Sequence, residues 1–97
     1  MKSERNQEIK ADGGKPRCEL LPPDAVIGIA KVLTFGAEKY EPGGWRKVGR
    51  ERYLGAAMRH LLALMNGEII DPESGLKHAD HLGCNAMFLS ELIKDGE

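Results

Sequence analysis

Apolar residues recur at three- and four-residue steps in three separate stretches of the chain, and each reads as an amphipathic helix. In the first, Val26, Ile29, Ala30, Leu33 and Ala37 make one stripe, which predicts a helix over 23–39. Leu21-Pro22-Pro23 suits its entry, because proline in a first turn gives up an N–H that has no partner there, and Asp24 sits at the positive end of the dipole. Tyr40-Glu41-Pro42-Gly43-Gly44-Trp45 then breaks the pattern into a loop that runs to about Gly49. A second helix is expected over 51–66, with Leu54, Ala57, Met58, Leu61, Leu62 and Met65 on its apolar face and Asn66-Gly67 as its stop. Asp71-Pro72 offers a cap and a first-turn proline for a third helix over 74–94. Strand alternation is absent. The pattern therefore predicts an all-α fold: a small bundle of three main helices.

Residues 1–14 end in Asp12-Gly13-Gly14 and hold almost nothing that could be buried, so they are expected to form a flexible arm ahead of a single helical domain over 15–97. A chain of 97 residues buries only about two thirds of its surface. Three helices offer few walls for a pocket, so a homo-oligomer is expected to complete the bundle.

Composition narrows the function. The net charge of -1 argues against stable nucleic-acid binding, which normally needs a basic face to displace counterions. No apolar run is long enough to span a membrane, and the N-terminus lacks an apolar signal core, so a cytoplasmic protein is expected. Cys18 and Cys84 match no zinc spacing; they are read as two reduced, partly buried thiols, with a disulfide as the alternative.

All three histidines lie between Arg59 and Asn85, alongside Glu68, Asp71, Glu73 and Asp80. His78, His81 and Asn85 stand at i, i+3 and i+7 and share a helix face, which His60 would oppose if the second and third helices pack antiparallel. Neutral imidazole binds transition ions, while Asp71, Glu68 or Asp80 could add the oxygen ligands that Mg²⁺ or Mn²⁺ requires. The structural alternative is that these are hydrogen-bonded boundary residues. Arg59, within an apolar stretch, needs a carboxylate, a phosphate or solvent, and reads equally as a structural ion pair or a substrate contact. Asp71 to Gly75 reads as a capped loop whose helix N-terminus could also face the pocket. Lys15, Arg17 and Lys39 could neutralise polyphosphate, though Lys39 already suits a helix C-terminus. Trp45 and Tyr40 flank the Pro-Gly-Gly turn and invite either base stacking or packing.

Several ordered blocks resemble the phage dATP/dGTP diphosphohydrolase family, the MazZ-like enzymes. They are Lys15-Pro16-Arg17 with Leu20-Leu21-Pro22-Pro23, Leu33-Thr34-Phe35-Gly36-Ala37 with Lys39-Tyr40, and Trp45. The series continues with Leu54-Gly55-Ala56-Ala57, Arg59-His60-Leu61-Leu62, Gly67-Glu68, and Asp71-Pro72-Glu73-Ser74-Gly75 with His78, His81 and Asn85. The resemblance spans about residues 15 to 90. It implies metal-dependent cleavage of a purine deoxynucleoside triphosphate, dGTP or dATP, to the monophosphate and pyrophosphate, in the host cytoplasm if phage-encoded.

The family's wider all-α relatives of the MazG type pair acidic motifs on facing helices. Here the third helix reads His78-x-x-His81-x-x-x-Asn85 and the second offers Arg59-His60. The expected roles are then a divalent metal, Mg²⁺ or Mn²⁺ with another transition ion as an option, on His60, Asp71, His78 and His81. Glu68 or Glu73 would take a proton from water. Lys15, Arg17, Lys39 and Arg59 would face phosphate, Tyr40 or Trp45 would stack on the purine, and Asn85 would contact substrate. The alternative is a non-catalytic helical module that binds a nucleotide or protein; a DNA-contacting domain is a third, disfavoured by charge.

Overall fold

The computed structural model describes residues 13–39 and 41–94, so the expected arm lies outside the described residues apart from Gly13 and Gly14. Three α-helices form: α1 (Pro23–Lys39), α2 (Arg50–Met65) and α3 (His78–Lys94). Short 3-10 turns over Cys18–Leu20 and Gly44–Lys47 precede α1 and α2. The only β feature among the described residues is an isolated bridge between Ile70 and Lys77. The all-α bundle predicted from periodicity is the observed fold.

The α2 stop behaves as Asn66-Gly67 dictates. Gly67 takes a φ of 87°, its N–H reaches the Leu64 carbonyl, and the Glu68 N–H reaches that of Ala63, so the last carbonyls of α2 are satisfied. The start of α3 differs from expectation by four residues, His78 rather than 74. Gly75 adopts a φ of 74°, a left-handed conformation that cannot begin a helix, and the Asp71 N–H bonds the Leu76 carbonyl at 2.8 Å. Asp71 to Lys77 is therefore a closed loop. The helix N-terminus expected to face the pocket thus lies four residues later, and the His78 N–H there is occupied by the Ile69 carbonyl at 3.0 Å.

Helix α3 lies in the middle, packed against both α2 and α1, which do not pack on each other. The inner face of α1 matches the predicted stripe only in part: Gly28 and Val32 are buried, Ile29 and Leu33 of the stripe are half-buried, with Ile29 against Gly83 of α3, and Val26, Ala30 and Ala37 are exposed. The cause is close approach: a Cβ at Gly28 would stand 2.2 Å from an Asp80 carboxylate oxygen, so only glycine lets α3 this near.

At the far end of α3, Phe88 stacks on Trp45 with ring centroids 4.5 Å apart and meets Tyr53 at 4.9 Å. Tyr53 also donates its hydroxyl to the Trp45 carbonyl. Trp45 thus packs on Phe88. Both cysteines are free; Cys84 is buried, which pushes its thiol up to about 11, while Cys18 is exposed rather than partly buried.

The apolar stripe of α2 exists as predicted but is left uncovered, with Leu54, Met58, Leu61, Leu62 and Met65 all exposed. Buried apolar side chains among the described residues are limited to Val32, Tyr53, Cys84 and Leu92. The stripe and the adjoining Ile69 and Ile70 make a contiguous stretch of apolar side chains of the kind that marks an interaction surface.

Candidate functional site

Where the C-terminal half of α1, the middle of α2, the 71–77 loop and the first turn of α3 meet, a cavity of about 310 Å³ is lined by Phe35, Arg59, His60, Asp71, Glu73, His78 and His81. That volume is at the lower end of small-molecule sites. The antiparallel packing of α2 and α3 brings the three histidines together as the spacing required. His60 stacks on His81, with centroids 4.5 Å apart and planes 6° from parallel, and its Nδ1 stands 2.8 Å from Nδ1 of His78.

Hydrogen bonds fix the protons. Nε2 of His78 lies 2.7 Å from Glu68 Oε1, and since a carboxylate can only accept, that nitrogen carries the hydrogen, which in the neutral ring leaves the lone pair on Nδ1. Ser74 Oγ donates to Asp71 Oδ2 at 2.9 Å, so it must accept at 2.7 Å from Nε2–H of His81. Asp71 further accepts the Glu73 N–H. The loop thus exists to hold a carboxylate and a hydroxyl against His81, and glycine at 75 lets it close.

Burial is the main reason that His60 and His81 are held below the ordinary imidazole value, and each is disfavoured further by its neighbouring histidines. Asp71 is pushed up by burial, but the Ser74 hydroxyl, the Glu73 N–H and the nearby imidazoles outweigh it and hold its carboxyl below the usual range. These shifts favour neutral imidazole at His60 and His81 and carboxylate at Asp71, and neutral imidazole with carboxylate is the donor form that a divalent transition ion takes.

The fit to such an ion is chemical and partial. Two ligand nitrogens on one ion stand about 3 to 3.4 Å apart, close to the 2.8 Å between the His60 and His78 Nδ1 atoms. The Glu68 contact supplies the outer carboxylate that ligating histidines habitually have. Among the described residues no three His, Cys, Asp or Glu side chains already close around one point, so His81 or Asp71 would have to turn toward the pair.

Arg59 lines the cavity, is exposed, and makes no ion pair with a described residue. Glu73 also lines it, exposed and paired with Lys39 at 3.1 Å. Arg59 and Lys39 are matched in number by Asp71 and Glu73, so these four groups bring no net positive charge to the cavity.

Other expected residues fall elsewhere. Lys15 is exposed and Arg17 pairs with Glu19 at 2.9 Å, neither reaching the cavity lining. Tyr40 lies outside the described residues. Asn85 shares the histidine face but is buried below the cavity, donating its amide to the His81 carbonyl. Asp80 packs on Gly28. Two residues were missed: Ser74, and Phe35 on the α1 wall. The signal for Phe35 was its position seven residues after Gly28 and three after Val32, on the true inner face of α1.

Comparison with known proteins follows the same lines. The family described as dATP/dGTP diphosphohydrolase, N-terminal, matches residues 5–97. The chain is 37% identical over 87 residues to a dATP/dGTP diphosphohydrolase of Salmonella phage PMBT28, a match that covers 90% of this chain and 30% of that protein. The chain therefore spans about a third of its relative's length. No solved structure matches.

Proposed function

The chain belongs to the dATP/dGTP diphosphohydrolase N-terminal family, and on that premise we propose that its cavity binds a purine deoxynucleoside triphosphate with a divalent cation and hydrolyses it to the monophosphate and pyrophosphate. The observation that carries the reading is the convergence of His60 from α2, Asp71 from the loop, and His78 and His81 from α3 on one cavity beside Arg59. Neutral imidazoles and an ionised carboxylate suit Mn²⁺, with Mg²⁺ favoured if water fills much of its shell. His60, Asp71, His78 and His81 would hold the ion, and bound there it would supply Lewis acidity at the phosphate oxygens and a more acidic water.

The chain's own groups have separate tasks. Arg59 faces phosphate, where a planar guanidinium gives paired hydrogen bonds and stabilises charge on the departing pyrophosphate. Glu73, at the cavity rim, accepts the proton of the attacking water once Lys39 turns from it to phosphate; their exposed ion pair is worth no more than about 1 kcal/mol and breaks readily. Glu68 positions His78 and does not touch substrate. A second copy of the chain is proposed to cover the α2 stripe, and sedimentation as a monomer at micromolar concentration would remove that part.

The test is product analysis. Incubation with each deoxynucleoside triphosphate and Mn²⁺ or Mg²⁺ should yield monophosphate and pyrophosphate from dGTP or dATP. Binding without cleavage would leave the non-catalytic nucleotide module as the function.

A further inference from the structure

Aromatic side chains divide sharply between the two ends of α3. Trp45, Tyr53 and Phe88 stack on one another at the far end, with the Tyr53 hydroxyl tied to the Trp45 carbonyl. Among the residues that line the cavity, Phe35 carries the one aromatic ring besides the three imidazoles, and the one that is purely hydrocarbon. It is half-buried on α1, its neighbour Gly36 has open space where a Cβ would be, and Lys39 Nζ stands 4.9 Å from its ring centroid. Across the cavity lie Arg59 and the imidazole cluster. The site thus has an apolar π-surface at one wall and phosphate-type and metal-type groups at the other. That polarity matches a nucleotide, whose flat base and charged tail need opposite surroundings.

We propose that Phe35 is the base platform of the site: a purine stacks on its ring while the phosphates extend toward Arg59 and the histidines. The inference rests on reading the cavity as a nucleotide site, and it replaces Trp45 as the stacking residue. Lys39 contributes from the same wall, where its ammonium lies near both the ring and Glu73. Stacking needs only a π-face, so Phe35 sets affinity for bases in general and leaves the choice of purine to hydrogen bonds elsewhere.

The test uses 2-aminopurine deoxyriboside triphosphate, whose fluorescence is quenched when its base stacks, and inorganic tripolyphosphate as a baseless competitor. The wild type should bind the nucleotide with quenching. Phe35→Leu, which keeps apolar volume, should lose the quench and weaken nucleotide binding roughly 5- to 150-fold, with tripolyphosphate competition changed by less than about twofold. Phe35→Trp should retain both binding and quench. Unchanged quench in Phe35→Leu, wild-type binding without quench, or equal weakening of nucleotide and tripolyphosphate would overturn the proposal. Quenched binding without hydrolysis would leave Phe35 in its role and remove the enzymatic reading; hydrolysis indifferent to residue 35 would do the reverse.

Discussion

Nδ1 of His60 and Nδ1 of His78 face each other at 2.8 Å while Nε2–H of His78 is held by Glu68. One proton suffices for that contact, donated by His60 into the His78 lone pair, and a cation arriving between the rings would displace it. The pair is therefore set either for a hydrogen bond or for two metal bonds, and Glu68 decides which nitrogen of His78 is available.

Glu68→Ala should consequently weaken Mn²⁺ binding about 10- to 100-fold, the usual effect of removing a carboxylate behind a ligating histidine. Calorimetric titration of Mn²⁺ into both proteins checks this. Equal affinities would mean that His78 needs no such partner or does not bind metal.

Acid should weaken the metal-free fold. His60 and His81 sit below the ordinary imidazole value of 6.5, so the folded state binds fewer protons than the unfolded state near that pH. Their contribution is fully present above pH 6.5 and is lost as pH falls through their lower folded values. Asp71 adds a separate loss at lower pH, starting near the carboxylate value of 3.8. Urea midpoints measured in chelator should fall from pH 7.5 to 5, and a His60→Gln, His81→Gln variant should show a flatter profile. A midpoint that rises on acidification would contradict the burial of neutral rings.

The α1–α3 contact offers a test of the fold. A Cβ at Gly28 meets the Asp80 carboxylate, and overpacking of this kind costs about 1–3 kcal/mol against the roughly 1 kcal/mol that alanine returns in helix propensity. Gly28→Ala should then destabilise by up to about 2 kcal/mol in wild type, whereas in an Asp80→Ala background it should be neutral or stabilising. Additive effects in that double-mutant cycle would show that the two residues do not touch.

Much of this arrangement was legible in the residue pattern, for reasons that also explain where it failed. The histidine spacing specified one face of α3, so the meeting of His60 with His78 and His81 was legible on the one condition that α2 and α3 pack antiparallel, which the residue pattern left open. The register of α1 was legible only in part: Ile29 and Leu33 turn inward as expected, but Val26 and Ala30 look as good as the true face, and a buried glycine, invisible to hydrophobicity, rotated it toward Gly28 and Val32. Phe35 was lost with that register. Ser74 was read only as a cap because its hydroxyl joins residues on both sides of a loop, and the loop closes through Gly75, whose left-handed backbone also delayed α3. For Trp45, packing competed with stacking, and its packing partner Phe88 was too far along the chain to be weighed.

The central claim is that the imidazole cluster is a catalytic metal site for deoxynucleoside triphosphates. The most direct test is pyrophosphate release from dGTP with Mn²⁺, comparing wild type with a His78→Ala, His81→Ala variant shown by circular dichroism to be folded. Loss of the several kcal/mol that a bound cation contributes should lower turnover about 100-fold or more, with helix content unchanged. Turnover of the folded double variant at the wild-type rate would contradict the account.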